Sequence, residues 1–185
     1  MQKGEDGVMM LFKANPCSRA ELSEMAWRVR KFSGCTTVPA FPIVELIEHK
    51  LMDYCPLVVL EDSECGDKEA WIVSGQREIY VRDSVYEAAV NGNPRARFTL
   101  AHELGHRVFH TIKQIMPCSI EDMVNLKLYQ DPEWQADAFA GELLAPTRMI
   151  QGLSISEICD QFAVSYDCAR IQYELYQRQN LRNVG

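Results

Sequence analysis

Histidine is scarce in this 185-residue chain, with four in all, and the seven cysteines never fall into a C-x-x-C pair. An odd number of scattered cysteines (Cys17, Cys35, Cys55, Cys65, Cys118, Cys159, Cys168) argues against a disulfide framework and against a cysteine zinc knuckle. They read as reduced thiols, which points to the cytoplasm. No apolar run approaches the ~18 residues of a membrane span, and Met1 does not open a basic segment followed by an apolar one. The expectation is a cytoplasmic chain with no membrane partner. Positive charge is also in short supply, 19 Lys and Arg against 26 Asp and Glu, for a net charge of -7. That field repels phosphate backbones, so direct nucleic-acid binding is not expected and protein or peptide partners are favoured. Internal repeats and low-complexity tracts are missing too. One domain of this length buries close to ~70% of its unfolded surface and needs no disulfide.

Residues 1 to 16 are mixed in character and read as a frayed end, which leaves 17–185 as a single domain. Ser18 and Glu21 form a capping box before an amphipathic stretch that ends near Gly34, and Pro42 opens a second helix through about Met52. Between Leu57 and Val81 three short apolar runs, Leu57–Leu60, Trp71–Val73 and Glu78–Val81, predict a small antiparallel sheet. Asn93 as N-cap and Pro94 at the first helical position start a helix that carries Phe98, Leu100, His102, Leu104, His106 and Val108. Residues 112 to 130 read as irregular. Asp131-Pro132 repeats the cap-and-proline start, Ala145-Pro146 ends that helix, and two more helices follow, from Ser154 to Phe162 and from Ser165 to about Arg178. The fold class is α+β: a mostly helical domain, zincin-like, with its sheet against the central helix and a helical region at about 150–180.

What is present is concentrated in five residues, His102-Glu103-Leu104-Gly105-His106. Histidines four apart share one face of a helix and can bind one ion, while the glutamate beside the first can act as general base. A catalytic zinc takes three protein ligands, which leaves one to find. Glu133 is the best candidate, because it opens a separate helix, and Asp137 stands one turn on along the same face. Zinc-bound imidazoles usually donate their other N–H to a carboxylate, a role that suits Asp137 with His102 as the expected partner.

The two blocks Arg95 to His110 and Glu133 to Pro146 resemble, in order, the ImmA/IrrE-type metallopeptidases of bacteria and their mobile elements. The resemblance spans roughly residues 17 to 178, is specific only from Arg95 to Pro146, and includes a helical close around Ile155 to Ser165. It implies a Zn2+ site on His102, His106 and Glu133, with Glu103 as catalytic base. It further implies a dedicated protein substrate, a DNA-binding transcriptional repressor cut at one site. Arg107 departs from the usual uncharged residue of the extended motif, and a surface arginine there can reach solvent. Family members often carry an appended DNA-binding domain, for which these residues leave no room.

Other side chains compete for roles. His110 would be a third histidine on the face, but one more turn adds ~5.4 Å of rise, too far for an ion that holds nitrogen at ~2.0 Å, so it reads as a supporting or structural residue. Glu142 is an alternative to Glu133 and lies about 180° around the helix from it, on the face that Asp137 does not share. Cys118 could cap a metal as thiolate, although lone cysteines are mostly buried hydrophobes. Tyr80, Tyr129, Arg95 and Arg97 are possible oxyanion stabilisers that spacing cannot rank. The last two helices mimic a helix-turn-helix, yet the second offers only Arg170 and Arg178 among Asp167 and Glu174, which favours packing over DNA. A different class of function, a zinc-containing module that sequesters a regulator without cutting it, also fits the motif. Zinc itself is not distinguished from another divalent ion.

Overall fold

The structure is a computed structural model, and it describes residues 2–3, 9–73, 76–110, 115–118 and 125–183. Seven helices and two small sheets are built among these residues. They are α1 (Arg19–Ser33), α2 (Ile43–Glu45, continued by a π-helical turn over Leu46–Lys50), α3 (Asp83–Val90), α4 (Pro94–Phe109), α5 (Pro132–Leu144), α6 (Ile155–Phe162) and α7 (Tyr166–Asn183). The strands are β1 (Gln2–Lys3), β2 (Met9–Ala14), β3 (Leu57–Leu60), β4 (Ala70–Ile72), β5 (Ile79–Arg82) and β6 (Ile115–Cys118).

Helix starts follow the capping chemistry in the sequence. Asn93 accepts from the amides of Arg95 and Ala96, Asp131 accepts from Glu133, and full capping boxes close at Ser18/Glu21 and Ser154/Glu157. The buried face of α4 (Ala96, Leu100, Ala101, Leu104, Gly105) packs on α5, which is buried almost continuously from Gln135 to Leu144. Helix α1 lies on the other side of α5, so α5 is the spine between α1 and α4. Its C-terminal carbonyls, Leu143 and Leu144, both accept from the wholly buried guanidinium of Arg30, which also binds the carbonyls of Cys35, Val38 and Pro39. A cation at that end complements the helix dipole and ties the loop after α1 to the end of α5.

The sheet expected between residues 57 and 81 forms beside α4, but it is mixed and not wholly antiparallel. Its order is β3-β5-β4, with β4 antiparallel to β5 and β3 parallel to it. The last strand takes the centre because Ile79 and Val81 are its fully buried residues, whereas no residue of β3 or β4 is buried to that degree. Helix α3 forms directly after β5 with no side-chain cap of its own at its start.

A second sheet, β1-β2-β6, occupies segments read as frayed or irregular. Residues Leu11 to Ala14 of β2 pair antiparallel with Ile115–Cys118. Pro117 argues against a strand, but β6 is an edge strand of this sheet, where a missing N–H is tolerated. The α6–α7 pair buries Ile158, Phe162, Val164, Cys168 and Ala169 in the main core. On α7, Arg170 pairs with Glu174 and Asp167, and Arg178 pairs with Glu174. No helix among the described residues is long and apolar enough to cross a membrane.

Candidate metal centre

Close helix packing brings the site together. A Cβ on Gly105 would lie 3.1 Å from the Ala136 Cα and 3.2 Å from the Phe139 ring, so α4 and α5 touch where glycine and alanine face each other. That contact, one turn from His102 on α4 and one turn from Glu133 on α5, lets the short side chain of Glu133 reach the histidines. Glu133 Oε2 lies 3.3 Å from His102 Nε2 and 3.5 Å from His106 Nε2, and the two imidazole nitrogens are 2.8 Å apart.

These three groups could hold a metal ion. A tetrahedral ion with ~2.0–2.1 Å bonds keeps its ligand atoms about 3.3 Å apart. Both Glu133 spacings match this, and the two imidazoles would spread by about 0.5 Å to take the ion. The donor set, two imidazoles and one carboxylate, suits zinc and other borderline divalent ions. The imidazoles are sheltered, at 18% and 20% side-chain exposure, while Glu133 is 63% exposed, so the cluster opens to solvent on the Glu133 side.

Each imidazole is held from behind. Asp137 Oδ1 is 2.8 Å from His102 Nδ1, and His106 Nδ1 is 2.8 Å from His110 Nδ1. His110 Nε2 is in turn 2.9 Å from Gln135 Oε1. His110 thus faces the back of His106 and not the three-donor cluster.

Protonation follows from these contacts. Burial alone would lower His102, but its hydrogen bonds to Asp137 and then Glu133 outweigh that and hold it up at about 9. Hydrogen bonds from His102 and then His106 keep Glu133 well below the usual carboxylate range, against a smaller opposing effect of partial desolvation. Burial pushes His110 down to about 4, against the opposing bond to Gln135 and with His106 adding to the shift, so its ring is neutral at pH 7. Glu103 is raised, first by burial, with His106 and His102 opposing and Glu133 reinforcing, which locates its carboxyl within electrostatic reach of the cluster.

The remaining candidates lie elsewhere or are engaged. Glu142 is buried and accepts from Ser23 and Thr147 between α1 and the end of α5. Arg97 is buried and donates to the carbonyls of Phe41 and Ala163, Arg95 pairs with Glu69 at 2.7 Å, and Tyr80 stacks on Trp71 and donates to Gln76. Tyr129 is half-exposed, and its carbonyl accepts from Gln135. Arg107 leans over the Tyr54 ring and donates to the Tyr54 carbonyl. The side chain of Cys118 lies outside the described residues, and six other cysteines are free thiols. Gln135 was not anticipated in the sequence. Its position two residues after Glu133 was the available signal, but its partners His110 and Asn15 lie 25 and 120 residues away, with only Tyr129 nearby.

An H-E-x-x-H helix joined by an E-x-x-x-D helix, beside a small sheet, defines a metallopeptidase-type protein. The peptidase M78 family model, described as an IrrE N-terminal-like domain, matches residues 67–170, and the chain belongs to that family. Among solved structures the chain is similar to a Mycobacterium tuberculosis transcriptional regulator, at 16% identity and a TM-score of 0.51, over 81% of this chain. The match spans 45% of that longer chain, so it speaks for the fold alone. No curated protein matches.

Proposed function

We propose that this chain is a zinc-dependent endopeptidase that hydrolyses one peptide bond of a specific protein substrate, a DNA-binding transcriptional repressor. The observation that carries the hydrolytic reading is the convergence of His102, His106 and Glu133 on an open-sided position, with Glu103 next to His102 on α4 and within electrostatic reach of all three. In that reading His102, His106 and Glu133 hold the ion and Asp137 orients His102. A bound divalent ion supplies a Lewis acid for the scissile carbonyl and makes water a nucleophile near neutral pH. Glu103 takes the proton of the attacking water and returns a proton to the leaving amine; its burial raises its basicity for the first step. Substrate reaches the site from the exposed Glu133 side, and β4, which packs on α4, forms an edge of its sheet among the described residues. A strand with one free edge can accept an extended peptide by backbone hydrogen bonds.

Membership in the M78 family supports the peptidase chemistry, and the repressor as substrate rests on the resemblance to ImmA/IrrE-type enzymes. The acidic balance and the pairing of Arg170 and Arg178 within α7 agree with a protein substrate and not a duplex. A sequestering module with structural zinc would normally close its ion with four protein ligands, and three are gathered among the described residues.

The test is incubation of the zinc-loaded protein with the repressor encoded beside it, read by mass spectrometry of the fragments. Wild type should yield a single cut, and Glu103→Gln should retain zinc and fold yet lose cleavage by at least roughly 100-fold. An intact repressor under activating conditions would remove the substrate, and undiminished cleavage by Glu103→Gln would remove the base.

A further inference from the structure

The amide of Gln135 is 1% exposed and held at both ends. Its Nε2 donates to the backbone carbonyls of Asn15 and Tyr129, each at 2.8 Å. Two carbonyl acceptors require the NH2 end of the amide at that position, because a flipped amide would set three oxygens against one another. The Oε1 end therefore faces His110 as an acceptor, and His110 Nε2, 2.9 Å away, must carry a hydrogen. In a neutral imidazole the other nitrogen is then bare. Bare His110 Nδ1 can only accept, so the hydrogen in the 2.8 Å contact with His106 belongs to His106 Nδ1. This leaves His106 Nε2 with its lone pair, and that atom faces His102 and Glu133.

We propose that His110 and Gln135 are positioning residues, which fix the tautomer and ring orientation of His106 through a hydrogen-bonded chain ending on the Asn15 and Tyr129 carbonyls. The direction of every bond in the chain is set by its far end, two backbone groups that can only accept. The metal-facing nitrogen of His106 is thereby committed to its lone pair before any ion arrives. Loss of such outer partners typically costs roughly 10–100-fold in metal affinity. The chain also links the site to the exit of β2, 120 residues away from Gln135, and to the turn that directly precedes α5. The consequence for affinity rests on the metal site proposed above, whereas the tautomer does not.

The experiment is long-range proton–nitrogen NMR of the histidine rings in the full chain stripped by a chelator, followed by zinc competition on the same samples. Wild type should show His106 protonated at Nδ1. His110→Leu removes the acceptor and should give a mixture of tautomers and a roughly 10–100-fold loss of zinc affinity. His110→Gln should rescue both, since its amide can accept from His106 and donate to Gln135 in the same sense. Should His110→Leu fail to fold, Gln135→Met reads the chain from its other end and should produce the same mixture. A wild-type His106 protonated at Nε2, or an unaltered tautomer in His110→Leu or Gln135→Met, overturns the proposal. If wild type binds no zinc while the tautomer pattern holds, the metal site fails and the positioning chain stands.

Discussion

Two supports hold two imidazoles that look alike, and they do so in opposite ways. His102 leans on Asp137, a single carboxylate 60% exposed on its side chain, whereas His106 leans on a neutral chain that runs inward through His110 to a buried amide. A charged support strengthens its imidazole by Coulomb attraction and also raises the affinity of His102 for a proton. A neutral support sets direction without that competition. The contrast separates two tasks, making a ligand basic and making it point.

The largest effect should come from cutting both supports. Asp137→Ala and His110→Leu each remove an outer partner and should lower zinc affinity by roughly 10–100-fold, and the losses should multiply in the double variant because different imidazoles are freed. Zinc competition against a chromophoric chelator measures all three; a double variant no weaker than either single one would show that the supports act as a unit. Salt sharpens the difference. The Asp137 contribution is open to screening and should shrink between low and high ionic strength, while the His110 contribution should hold.

A smaller effect is expected from pH. The cation needs His102 neutral, and its pKa is held at about 9, so below that pH binding must expel a proton. Zinc affinity should rise by up to about tenfold per pH unit and level off near 9. Asp137→Ala should move the levelling point down, because the bond that holds the proton is gone, and His110→Leu should leave it in place. Competition titrations from pH 6 to 9 decide this, and equal displacement in both variants would erase the distinction between the supports.

The charged support was readable in the sequence, and of the neutral one His110 was read as a supporting or structural residue while Gln135 was not read at all. Asp137 follows Glu133 by four residues on one helix, a spacing that puts both on the face turned to α4, so periodicity alone was enough. Gln135 acts through the carbonyls of Tyr129, six residues back, and of Asn15, 120 residues back, and no periodic pattern around residue 135 announces either. The fold divides the same way. Helices α1, α4, α5 and α6 begin at caps written within three residues of their first turn. Helix α3 has no such cap; the Ser84 amide and hydroxyl are met by Asp62, 22 residues earlier in the chain. The pairing of β2 with β6 joins segments about a hundred residues apart, and strand order in β3-β5-β4 is decided by which strand buries both of its inward residues. Contacts of that kind are tertiary, and a single sequence carries them only as composition.

The central claim is that α4 and α5 together make one metal position, with Glu133 as its third protein ligand. Equilibrium dialysis against zinc followed by metal analysis tests it most directly, on wild type, Glu133→Ala and, as a control on the same helix, Glu142→Gln. Wild type and Glu142→Gln should retain stoichiometric zinc, and Glu133→Ala should retain close to none while remaining folded. Stoichiometric, tightly held zinc in Glu133→Ala would contradict the account.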